Sequence, residues 1–161
     1  MELPYFGFVN PEALEEVYEI EYPIDSSYSC ALELWFESES VPSNELMPID
    51  IALKNLSQYL NVAQKYLESE PVGIALLKKY LSHHKDLLSA EDNERWPSDP
   101  SPMLYASAAM KPNLHIKSIS LWHGSPGLVK IDYSLGHDLT DYVICLELSN
   151  NFKVSNIAIE S

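Results

Sequence analysis

Residues 48–88 read PIDIALKNLSQYLNVAQKYLESEPVGIALLKKYLSHHKDLL. Apolar side chains recur at Ile49, Leu53, Leu56, Leu60, Ala63 and Leu67, at spacings of four, three, four, three and four. That spacing is a single stripe along one α-helix. Pro48 suits a first turn, where its missing N–H costs nothing, and 69–71 ends this helix and starts the next. In the second helix Ile74, Leu77, Leu81, His84 and Leu88 form one stripe, with Leu76, Tyr80, His83 and Leu87 forming another beside it. A stripe that wide implies contacts on more than one side. The short connection makes the two helices antiparallel neighbours.

The flanking sequence changes period. Tyr18, Ile20 and Tyr22 alternate with Glu19 and Glu21; after a turn at 23–27, Cys30, Leu32, Leu34 and Phe36 alternate with Ala31, Glu33 and Trp35. A period of two puts one face in a core and the acids on the other. A short strand is expected at 5–9, and Asn10 is placed to cap a helical turn at 11–16, with Pro11 at its first position. Beyond the helices, 89–112 is polar and rich in proline, with Trp96 as its large anchor and a short helix expected at 102–110.

From 113 onwards the pattern is a four-strand meander. A strand at 114–122 is followed by the turn Gly124-Ser125-Pro126-Gly127, and Val129, Ile131, Tyr133 and Leu135 then alternate with polar residues. The turn Gly136-His137-Asp138 leads to Tyr142, Ile144, Leu146 and Leu148. Asn150-Asn151 is expected to form a two-residue primed turn. The last strand changes phase between Phe152, Val154 and Ile157, Ile159, which predicts a bulge near 155–156. Strands, a helical hairpin and strands again describe one α+β domain over 1–161, with segments 1–47, 48–88, 89–112 and 113–161. The sheet is expected to be mostly antiparallel and packed against the hairpin.

Composition fits that size. A chain of 161 residues buries about 68–70% of its unfolded surface, enough for a core without staples. The 46% hydrophobic content and ten tyrosines exclude a disordered chain. Its net charge of −14 is concentrated: no Lys or Arg precedes Lys54, whereas the first fifty residues hold Glu2, Glu12, Glu15, Glu16, Glu19, Glu21, Asp25, Glu33, Glu37, Glu39, Glu45 and Asp50. Such a block disfavours nucleic acid and anionic membrane and favours a basic protein partner. Arg95 is the sole arginine, so phosphate clamps have little material. The N-terminus shows no signal-peptide pattern and no long apolar run occurs, so a cytoplasmic location is expected. Cys30 and Cys145 read as reduced, buried thiols.

Groups able to carry chemistry are sparse. His83 and His84 diverge by about 100° on a helix, unlike the i, i+4 pairs that hold metals, and read as packing residues. His115 and His123 flank a strand with no Cys, Asp or Glu between them. The loop holding His137, Asp138 and Asp141 is the densest polar cluster; it reads as capped backbone, with a divalent-cation or acid–base site as the alternative. No Gly-x-Ser-x-Gly elbow or phosphate loop occurs, no cofactor is called for, and an enzyme is the minor reading. Trp35 shares its face with Glu33 and Glu37. It is an outward anchor for a basic partner, or core if helices cover both faces.

Phe6-Gly7, the amphipathic helix beginning near Asp50, Asp132-Tyr133, Thr140-Asp141-Tyr142 and the ending Ile159-Glu160-Ser161 resemble a domain-of-unknown-function family of small acidic bacterial proteins. The resemblance implies an α+β fold and carries no catalytic residue. By class alone the chain is also similar to immunity proteins, which neutralise toxins. The leading expectation is therefore a non-enzymatic interaction module, immunity-like, whose surface Glu19, Glu21, Glu33, Trp35 and Glu37 meet a basic partner. A small metal-dependent or hydrolytic enzyme and a homo-oligomeric structural subunit are the alternatives.

Overall fold

The computed structural model describes residues 1–26, 28–84, 114–135 and 140–161. The chain order is β1 (Glu2–Leu3), β2 (Gly7–Phe8), β3 (Val17–Pro23), β4 (Ser29–Trp35), a 3-10 turn (Ser43–Leu46), α1 (Met47–Lys54), α2 (Leu56–Ser69), α3 (Pro71–His84), β5 (His115–Trp122), β6 (Val129–Ser134), β7 (Val143–Leu148) and β8 (Val154–Glu160). The last six strands form one sheet in the order β3-β4-β5-β6-β7-β8, while β1 and β2 pair separately. Every neighbouring pair is antiparallel except β4 and β5, which run parallel and are joined through a connection that includes α1, α2 and α3. This is the expected α+β architecture. The meander β5–β8 and the hairpin β3–β4 share its sheet.

The helices pack on one sheet face. Leu32, Leu34, Ile119, Leu121, Ile131, Ile144 and Leu146 are fully buried in one cluster with Leu53, Leu56, Tyr59, Ala63, Leu67 and Leu77. Fully burying each such side chain contributes about 1.5–3 kcal/mol before cavity and entropy terms. The other face follows the register row Glu19, Glu33, Ser120, Lys130, Glu147 and Asn156, with Glu21, Ala31, Ser118, Asp132, Cys145 and Ala158 as the next row.

The long first helix of the sequence reading is two. Asn55 leaves helical geometry (φ −119°, ψ 21°), and its side-chain amide donates to the Ile51 carbonyl at 2.7 Å, so the ladder breaks there. The buried stripe of α2 shifts accordingly, with Tyr59 fully buried and Leu60 half-buried. Segment 11–16 is a turn rather than a helix. Asn10 Oδ1 accepts from the Glu12 N–H at 3.2 Å, and the backbone then leaves to pair Leu14 N–H with the Glu39 carbonyl. The strand expected at 5–9 is the small β1–β2 hairpin, with Tyr5 at positive φ.

In β8 the phase change is a bulge at Ser155: Glu147 pairs with Asn156 and Leu148 with Val154, leaving Ser155 unpaired. The turn before it differs from the expected two-residue form. Ser149 pairs with Lys153 across three residues, and Phe152 takes the positive φ of 60°. Its ring lies 4.6 Å from the Tyr59 ring, a contact that holds an otherwise unfavourable backbone. The proline-rich 89–112 and its expected helix lie outside the described residues.

Both cysteines are free and buried, on opposite faces and with two strands between them. Burial pushes the Cys30 thiol up to about 11 from the usual 9.0. Between those values the unfolded chain loses this proton while the folded chain keeps it. Fewer protons in the unfolded state mean that stability falls as pH rises. The expected loss between pH 9 and 11 is about 1–3 kcal/mol. Melting temperature against pH checks it, and Cys30→Ala should lessen the slope there, leaving the part carried by the likewise raised Cys145 thiol. An unchanged slope in the variant would remove Cys30 from the account.

Candidate functional surface

Two strand ends build the most distinctive feature. Leu34 pairs with Leu121 and Trp35 with Trp122 in the parallel ladder, so two Leu-Trp dipeptides end in register. The indoles stack with centroids 4.9 Å apart and planes 4° from parallel. Each N–H is held from two residues back in its own strand: Trp35 Nε1 donates to Glu33 Oε2 at 2.8 Å, and Trp122 Nε1 to Ser120 Oγ at 3.1 Å. Both tryptophans are half-buried. Trp35 is thus neither free-standing nor core.

Beside this stack lie the acids. Glu19 sits directly opposite Glu33 across the β3–β4 pair, and Glu21 follows on the same face. Like charges directly opposite each other are destabilising. Glu19 and Glu21 are exposed and Glu33 half-buried. Lys130, farther along the same face, is already engaged by Glu160 at 2.8 Å. Burial alone would lower the Lys130 pKa, but the Glu160 hydrogen bond and the nearby Asp132 outweigh it and raise it. Glu37 is exposed but lies past the end of β4, which stops at Trp35. The structure therefore gathers four of the five expected residues, adds Trp122, and leaves Glu37 off the strand.

At the other end of the hairpin a cleft of about 370 Å³ is lined by Glu21, Pro23, Asp25, Ser26, Tyr28 and Ser29. Ser29 Oγ donates to Glu21, and the Tyr28 hydroxyl donates to the Ile116 carbonyl. Burial pushes the Tyr28 hydroxyl up to about 12, so it stays a donor at neutral pH. The cleft is open to solvent and lined by carboxylates and hydroxyls.

The alternative cluster is only partly visible. His137 and Asp138 lie outside the described residues, and Asp141 is exposed. Close by, His84 is buried, its Nδ1 2.7 Å from the Tyr80 carbonyl and its Nε2 2.8 Å from Thr140 Oγ1. A carbonyl only accepts, so Nδ1 carries a proton. Thr140 Oγ1 also accepts from the Tyr142 N–H at 3.1 Å. This ties the end of α3 to the start of β7, as expected of a packing histidine; His83 is exposed. Past the end of β5, His123 Nε2 lies 3.6 Å from Glu45 Oε2. Among the described residues no three His, Cys, Asp or Glu side chains are grouped to hold a metal ion. Cys145 is chemically quiet, its pKa raised by burial and then by Asp132.

No helix of the described residues is long and apolar enough to cross a membrane. Comparison with protein-family models, curated proteins and solved structures finds no match.

Proposed function

We propose that this protein is a non-enzymatic interaction module, immunity-like in character, whose acidic β3–β4 face binds a basic protein. The observation that carries the reading is the placement of Glu19, Glu21 and Glu33 on one face, running from the Trp35–Trp122 stack along the β3–β4 hairpin, without a lysine or arginine before Lys54. Half-buried indoles supply rigid apolar area with little entropy to lose, and carboxylates around them steer a cation and satisfy it on arrival. A specific complex on this face would bury about 1,600 Å² in total.

The test is affinity capture at low and high salt, followed by binding kinetics with the purified partner. Wild type should retain a basic protein, with an association rate that falls as ionic strength rises. The double charge reversal Glu19→Lys, Glu33→Lys should weaken binding at least a hundredfold. Binding indifferent to both salt and charge reversal would sink the proposal, as would repeated recovery of no basic protein.

A further inference from the structure

β3 is the outermost strand of the six, and its pairing with β4 runs unbroken from Val17↔Trp35 to Pro23↔Ser29. Among the described residues, none of the backbone groups of 17–22 bonds beyond that pairing. The opposite edge is different: β8 carries the Ser155 bulge, which interrupts its ladder. An edge strand offers a row of N–H and C=O groups to any extended chain, and natural proteins blunt it with bulges, proline or charge. Here the bulge is on β8, proline waits until the last position of β3, and the protection left is Glu19 and Glu21.

That protection is selective. A second copy pairing antiparallel through Ile20 would set Glu19 against Glu21 and add two like-charge pairs to the Glu19–Glu33 pair already present. A strand with basic residues at alternate positions would instead bring a cation beside each carboxylate. Its intervening side chains would fall on the other face, beside the half-buried Tyr18, Ile20 and Tyr22. We infer that the β3 edge accepts an extended segment of the partner in which basic and apolar residues alternate, completing a seventh strand by main-chain hydrogen bonds. This rests on the basic-partner reading above and specifies how that partner is held. It also accounts for the sign of the edge charge, since lysine would serve equally well if the purpose were only to repel other edges.

Three capped peptides of equal charge test it: Lys-Val-Lys-Val-Lys-Val-Lys, the block arrangement Lys-Lys-Val-Val-Val-Lys-Lys, and the alternating peptide N-methylated at its valines. Binding is read by fluorescence anisotropy, and amide exchange is followed along β3. The alternating peptide should bind at least tenfold more tightly than either control and slow exchange at 17–22. Glu19→Gln with Glu21→Gln, checked for folding by circular dichroism, should remove most of that advantage. Equal binding of all three peptides without new protection overturns strand addition but leaves an acidic docking face standing. If none binds at any ionic strength, the basic-partner reading falls as well. Concentration-dependent dimerisation that protects the β3 amides without peptide shows that a second copy occupies the edge, and overturns the proposal.

Discussion

Gly73→Val is expected to lower stability by more than about 3 kcal/mol, read as a shift in the urea midpoint at constant slope. A Cβ at position 73 would stand 2.3 Å from the Tyr66 carbonyl oxygen and 3.0 Å from the Leu67 Cα. Both are backbone atoms of α2, so no rotamer change relieves the clash; α3 would have to move away from α2 as a body. Helix propensity pulls the other way, since alanine in place of a helical glycine gains about 1 kcal/mol. The alanine variant decides between the two effects. If Gly73→Ala matches or exceeds wild-type stability, the close approach of the helices is not what position 73 requires.

Tyr59→Ala should cost about 3–5 kcal/mol, as expected for removing a fully buried aromatic ring. The ring is 1% exposed and packs 4.6 Å from Phe152. Two losses combine here, the cavity and the support of a phenylalanine at φ 60°. Phe152→Gly separates them. Alone, it gives up the ring contact while easing the backbone, so its net effect should be small. Introduced into Tyr59→Ala, it should be neutral or stabilising, because the contact is already gone and only the strain remains. Purely additive effects in this double-mutant cycle would deny the coupling.

Where periodicity governs structure, the sequence was readable. β3 and β4 alternate, α2 and α3 carry apolar stripes, and the phase slip in β8 located its bulge at Ser155. The break at Asn55 was hidden because Leu53 and Leu56 keep helical spacing across it, and only a local side-chain hydrogen bond marks the interruption. The Phe152 turn depends on Tyr59, far away in sequence, so local turn chemistry pointed to Asn150-Asn151 instead. Alternation within each strand set Glu19 and Glu21, and separately Glu33 and Trp35, opposite the apolar side chains; that the two sets share one face comes from the β3–β4 pairing. Alternation could not supply Trp122, because the adjacency of β4 and β5 leaves no local signal. The repeated Leu-Trp dipeptide was the available trace.

The single parallel ladder also divides the sheet by folding mechanism. Every other neighbouring pair is sequential in the chain and antiparallel, so each can close as a hairpin. The β4–β5 pairing must instead close a loop containing α1, α2 and α3, at an entropic cost set by that length. The β3–β4 hairpin is therefore joined to the meander by one seam, a ladder of long loop closure at whose end the two tryptophans stack, and by the core the two share under the helices. Such a seam is a natural boundary for subglobal opening, with β3–β4 leaving as one unit while β5–β8 persist. The acidic edge rides on that detachable unit, so a partner gripping both β3 and the stack would close the seam and lengthen the lifetime of the whole fold.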